Sequence, residues 1–224
     1  MKKIKLLFCS FLLTTAVHQV HAQVAAPPAE LKTVLKKTFD AFDSTEDQQQ
    51  KVQLSGRIGM IAAKWDNEWI THYYVAYSKV VLSEDSKLGD NKRDALLDEA
   101  GNELKKAVTL LGKENDETLV LGAFIANWRI AISPMSRYMQ YGKSFSGNLK
   151  DAKAINQDNP RIYYLQGMAW YGMPKFAGGG KEVALPYLSK ADSLYSKEND
   201  VDITKPYWGK KAAAYYLMQS KPKD

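Results

Sequence analysis

Few residues in this chain are of a type that runs a reaction. The single cysteine, Cys9, and two of the three histidines, His18 and His21, lie within the first 22 residues, which leaves His72 alone in the rest of the chain. A histidine metal site or a Ser-His-Asp arrangement would rest on that one ring, which stands in Thr71-His72-Tyr73-Tyr74 with no signature around it. An enzyme using His72 with a nearby acid is therefore the weakest functional alternative, and a core or surface histidine the stronger reading. The run Phe176-Ala177-Gly178-Gly179-Gly180-Lys181 precedes a helical pattern and offers free amides to an anion, but Glu182 places a carboxylate where phosphate would sit. Gly142-Lys143-Ser144 has the ending of a phosphate loop, yet Arg137 stands where its first glycine is needed. Both read as turn or helix sequence. Asp98-Glu99 and Asp116-Glu117 read as solvated faces and caps, so the sequence predicts no catalytic residue, no metal ligands and no cofactor.

The chemistry that is abundant is aromatic. Thirteen tyrosines and five tryptophans supply large apolar faces with a polar tip, which suits helix seams and binding grooves alike. A wider aromatic set that includes Trp65, Tyr171 and Trp208 could line a groove for a peptide, sugar or lipid, and the candidate binding residues are Trp69, Tyr73, Tyr74, Trp128, Tyr163, Tyr164 and Trp170, with Arg129 and Arg161 at the rim. For any one ring, packing is the commoner role. Adjacent rings on a helix diverge, so the pairs Tyr73-Tyr74, Tyr163-Tyr164 and Tyr215-Tyr216 predict that some rings face a groove or solvent. The arginines, Arg137 among them, either meet an anionic group or pair with acids of neighbouring helices, and the second is favoured.

Lys2, Lys3 and Lys5 precede an apolar run from Leu6 to Val17, and Val20-His21-Ala22 ends it with small residues. This pattern predicts a secretory signal peptide over 1–22, cleaved between Ala22 and Gln23, and hence a periplasmic or secreted protein. Bulky Leu7-Phe8 before Cys9 argues against lipidation. The run is too short for a comfortable transmembrane helix and no comparable run follows, so stable membrane insertion is not expected. With the segment gone, the only cysteine goes too, and stability must come from packing. Three lysines and no acid leave, so the formal charge falls from +6 to +3, too weak and too dispersed for nucleic acid.

Gln23 to Ala29 is a leader, 30–220 a single domain and 221–224 a tail. Periodic apolar positions predict helices over Glu30–Phe42, a segment after Asp43-Ser44-Thr45-Glu46 reaching Trp65, Glu68–Leu82, Lys92–Leu111, Thr118–Ile132, Tyr138–Ile155 with irregularity near Gly142 and Gly147, Arg161–Met173, Lys181–Tyr195 and Pro206–Met218. No stretch alternates like a half-buried strand, so the fold class is all-α. The helix Glu68–Leu82 has apolar groups on more than one face and must be covered on more than one side.

Helices of this chain repeat in pairs. Leu104…Ala107, Leu149…Ala152 and Leu188…Ala191 carry the same leucine-to-alanine step, and the alanines stand 45 and 39 residues apart. A small residue at a matched position marks a seam where a neighbouring helix approaches closely. Asn159-Pro160-Arg161-Ile162-Tyr163-Tyr164-Leu165-Gln166-Gly167, followed by Phe176-Ala177-Gly178-Gly179-Gly180 and Leu188-Ser189-Lys190-Ala191, resembles divergent exported tetratricopeptide-repeat (TPR-like) proteins. The resemblance covers about residues 65–220 and departs from a clean repeat at Pro134 and the glycine run. It implies an α-solenoid of about three to four helical hairpins with capping helices, whose concave groove binds rather than catalyses. The function expected is a non-enzymatic exported scaffold that holds a protein or peptide partner in an aromatic-lined groove. The alternative is a periplasmic small-molecule or lipid carrier in which the solenoid curls around a closed apolar cavity.

Overall fold

The first helix of the structure begins just after Pro27-Pro28, whose rings hold the chain extended into it. The structure is a computed structural model and describes residues 26–222; the predicted signal peptide and its cleavage point lie outside the described residues. Among the described residues nine α-helices follow one another: α1 (Ala29–Ser44), α2 (Gln48–Lys64), α3 (Trp69–Ser83), α4 (Asp90–Leu111), α5 (Asp116–Ile132), α6 (Pro134–Ile155), α7 (Pro160–Gly172), α8 (Lys181–Tyr195) and α9 (Lys210–Ser220). No strand occurs among the described residues, and none of their helices is long and apolar enough to cross a membrane. The protein is all-α.

Local chemistry sets the helix ends. Asp47 accepts from the Gln50 amide to open α2, so the cap falls just after the acidic-polar run 43–46. Asn115 and Thr118 form a reciprocal capping box at α5. Asn159 caps α7, where Pro160 takes the first helical position. Gly112 ends α4 in the left-handed conformation at φ 73°. Ser133-Pro134 stops α5 as expected, and the same proline opens α6.

Two expected boundaries change. Helix α6 runs unbroken from Pro134 through Gly142 and Gly147, because an isolated glycine weakens a helix without breaking it. The last helix starts at Lys210 rather than Pro206, because Gly209 adopts φ 94° and Pro206 to Trp208 turn inward instead of coiling. In the glycine loop Gly178 and Gly180 both take positive φ, beside a short 3₁₀ turn at Lys175–Ala177, so the run is a backbone requirement.

Three antiparallel hairpins, α3–α4, α5–α6 and α7–α8, stack along the chain, with α1 and α2 against the first and α9 against the last. The matched alanines Ala107, Ala152 and Ala191, one on the second helix of each hairpin, are fully buried. Arginines tie the first two hairpins together: Arg137 of α6 grips Asp94 of α4 through two bonds of 2.6 and 2.7 Å, and Arg129 of α5 pairs with Asp98 of α4 at 2.5 Å. The first helices of the hairpins, α3, α5 and α7, form the inner wall. Helix α3 is covered on all sides, with twelve of its fifteen residues buried. Segment 199–220 folds back across this wall. Tyr74 donates to the Ile203 carbonyl, Trp208 donates to the Tyr73 hydroxyl, and Tyr195 donates to the Trp208 carbonyl.

Candidate functional site: an aromatic cleft under the ninth helix

Each inner helix presents two side chains one turn apart to the same hollow: Tyr77 and Val81 from α3, Phe124 and Trp128 from α5, Tyr164 and Met168 from α7. Positions four apart lie one above the other on a helix, so each hairpin contributes one short column of the wall. Phe42 and Asp43 at the end of α1 and Lys51 of α2 close one side, while Trp208, Lys211, Tyr215 and Tyr216 close the other. The cavity they enclose is about 380 Å³, toward the small end of the ~300–1,000 Å³ usual for ligand pockets. Exposed Glu46, Lys211 and Tyr215 stand at its mouth.

The floor is a stack of rings. Trp208 lies nearly parallel to Phe124, 5.2 Å between centroids and 18° apart, and 4.9 Å from Tyr77. Tyr164 meets Trp208 edge-on at 6.5 Å and Tyr216 at 6.4 Å. Such offset and edge contacts favour rigid flat walls. Polar groups break the lining at one end. Burial pushes the Glu84 carboxyl up to about 8, against the opposing pull of Lys51 and the Trp128 indole. Burial also raises the Asp43 carboxyl, although Lys211 and Lys51 draw it down. The Trp128 indole N–H, although near enough to Glu84 to favour its anion, is buried without a hydrogen bond of good geometry.

Of the nine residues singled out from the sequence, the cleft gathers two, Trp128 and Tyr164. Tyr73 and Tyr74 are both fully buried: α3 is enclosed, so the adjacent rings diverge into two parts of the core rather than toward a groove. The other pairs do split. Tyr164 faces the cleft while Tyr163 points outward and donates to the Gln157 carbonyl; Tyr216 turns in and Tyr215 out. Trp69 and Trp170 pack half-buried against the core away from the cavity. Arg129 is taken up by Asp98 and Asp94. Arg161 is buried in the core between Glu117 at 3.2 Å and Glu198 at 2.9 Å, and also donates to the Pro206 carbonyl. Neither arginine forms a rim. His72 is buried, its ring nitrogens 2.6 Å from a Glu103 oxygen and 2.9 Å from the Asp66 carbonyl.

Trp208 of the wider aromatic set and Tyr216 of the third pair also line the cleft, whereas Tyr77, Phe124 and Met168, with Lys51, Glu84 and Lys211, were missed as site residues. A signal for three of them is present. The pairs 77/81, 124/128 and 164/168 share the four-residue step, and their first members stand 47 and 40 residues apart, in the range of the alanine spacing. Nothing local marks Lys51, which reaches the cleft through the first hairpin's cap, and Trp208 reaches it through the fold-back.

No family model matches the chain, and no curated protein matches it significantly. Among solved structures it is similar to the HusA haemophore from Porphyromonas gingivalis, with 31% sequence identity and a TM-score of 0.72 over 84% of this chain and 92% of that one. This likeness corrects the expectation of a groove for a protein or peptide partner. The solved relative is a haemophore, and here Trp208 packs among the rings of the inner helices, with residues of α9 closing one side of the cleft. The small-molecule alternative is the better fit, with one change: the cavity has an open mouth and a mixed lining rather than a sealed apolar one.

Proposed function

We propose that this chain, which belongs to the family of the HusA haemophore, is a non-enzymatic carrier of haem or a related porphyrin, held in the aromatic cleft. The observation that carries the reading is the wall itself: flat rings of Phe124, Trp128, Tyr164, Trp208 and Tyr216 around one hollow. A macrocycle is a large flat apolar surface, and its transfer from water onto such rings is favourable without any bond to its metal. Among the described residues, neither histidine nor cysteine lines the cleft. The lining groups of the kinds known to hold haem iron are the Tyr77, Tyr164, Tyr215 and Tyr216 hydroxyls and the Met168 thioether. Ring contact therefore supplies most of the affinity in this reading.

Titration of the purified protein with haemin and with metal-free protoporphyrin IX tests it, followed by the Soret band and by quenching of tryptophan emission. Both ligands saturate one site, with dissociation constants within about tenfold of each other, and the Trp128→Ala, Tyr164→Ala double variant weakens both. Absence of any Soret change or quenching with either ligand would sink the proposal.

The stacked hairpins and their matched alanines support the finer reading of a divergent TPR-like array. Export is supported by the cationic and apolar start of the sequence, and a mature protein whose N-terminal residue is Gln23 is the expected finding.

A further inference from the structure

We infer that Lys51, Lys211 and the Trp128 indole N–H form an anchor for a ligand carboxylate at one end of the cleft, so that the carrier selects a macrocycle with free acid arms over the same ring esterified. This rests on the porphyrin reading above and specifies what it leaves open.

Three features point to an acid group at this end. First, the Trp128 N–H is buried with no acceptor in hydrogen-bonding geometry, the neighbouring Glu84 carboxyl included; a buried unpaired donor carries a penalty that a ligand oxygen removes. Second, two cations reach the cavity from opposite sides, Lys51 on α2 and Lys211 on α9. Neither is in an ion pair among the described residues. Lys211 Nζ touches only the Asp43 carbonyl, at 3.5 Å. Acids share this end, Asp43 of α1 and Glu46 of the following turn, yet they do not engage either ammonium directly.

The third feature is Glu84, just past α3, which faces Lys51 from α2, the Trp128 indole from α5, Tyr77, and the Tyr164 and Tyr216 hydroxyls. Burial keeps its carboxyl protonated to about pH 8. At neutral pH it therefore offers an O–H donor instead of a competing charge, and Lys51 remains available to an incoming anion. Above that pH its own negative charge opposes a ligand carboxylate.

Protoporphyrin IX and its dimethyl ester present the same ring with and without two carboxylates, and comparing their affinities for the purified protein tests the anchor. The wild type binds the free acid at least tenfold more tightly at pH 7. The Lys51→Met, Lys211→Met double variant loses that margin while holding the ester as before, and its circular dichroism melt verifies folding. If the double variant does not fold, Lys211→Met alone, at an exposed position, carries the test and narrows the margin. Raising the pH from 7 to 9.5 shrinks the margin in the wild type but not in Glu84→Gln. Equal binding of acid and ester, a margin that survives the lysine changes, or a margin independent of pH in the wild type would overturn the anchor and leave the porphyrin reading intact. Failure to bind either compound would overturn both.

Discussion

Arg161 shows how differently a residue reads alone and in place. Next to an Asn-Pro turn it reads either as a cation at a hairpin rim or, by preference, as a partner for acids of neighbouring helices; in the fold its side chain is 1% exposed and its charge is shared by Glu117 and Glu198. Those partners stand 44 and 37 residues away in sequence, so no local pattern could announce them. Asn159 donates to the same Glu117 at 2.8 Å, and Tyr73 does so at 3.2 Å. Removing the guanidinium leaves two acids without compensation, so Arg161→Met is expected to cost about 3–5 kcal/mol in urea unfolding. Glu84 gives the opposite sign. Its folded pKa of about 8 lies above its ordinary value of 4.5, so the native state favours the protonated form. That contribution is complete below pH 4.5 and is lost as pH rises through 8. Glu84→Gln is therefore expected to be more stable than wild type at pH 9, by ~1–2 kcal/mol after allowance for water at this half-buried carboxyl, and to converge with it near pH 5 in thermal melts.

The helices were legible because each carries apolar residues at its own period, and the three alanine seams were legible because they recur. What the sequence could not show is which inner face would stay uncovered. Tyr73 and Tyr77 differ by one turn on α3, yet the first is sealed by Trp208 and Glu117 and the second reaches the cleft. The segment before α9 misled for a related reason: Pro206-Tyr207-Trp208 continues an apolar period, but Trp208 is used as a wedge. Close approach within a hairpin has its own test at Gly167. A methyl group there would stand 2.6 Å from Leu188 Cγ and 3.3 Å from the Leu188 backbone nitrogen. Since Leu188 is itself fully buried, α7 and α8 must separate to admit it. Gly167→Ala is expected to lower stability by roughly 1–3 kcal/mol despite alanine's better helix propensity, and a neutral or higher melting temperature would count against the tight seam.

Across the whole molecule, the cleft is assembled from six helices and the turns between them, so occupancy of the proposed site should be felt by the entire domain. A ligand that binds only the folded chain at a hundred times its dissociation constant adds about 2.7 kcal/mol. For a domain of this size that corresponds to a rise of about 5–10 °C in melting temperature, checked by differential scanning fluorimetry with metal-free porphyrin. Class and architecture were readable from the chain because they follow from periodicity and repeat. The ligand class was not, since it depends on rings brought together from positions 42 to 216.

The fold-back of Trp208 also bears on how the protein is made. Its bond to Tyr73 spans 135 residues, and that of Tyr74 to Ile203 spans 129. The hairpins are local and can form as soon as their own residues are available, whereas these closures must wait for a long loop to be tied. A partly synthesised chain would hold its helices without its floor, and so would lack the proposed site. Binding competence is thus a late event in the life of the chain, acquired in one step when the tryptophan seats.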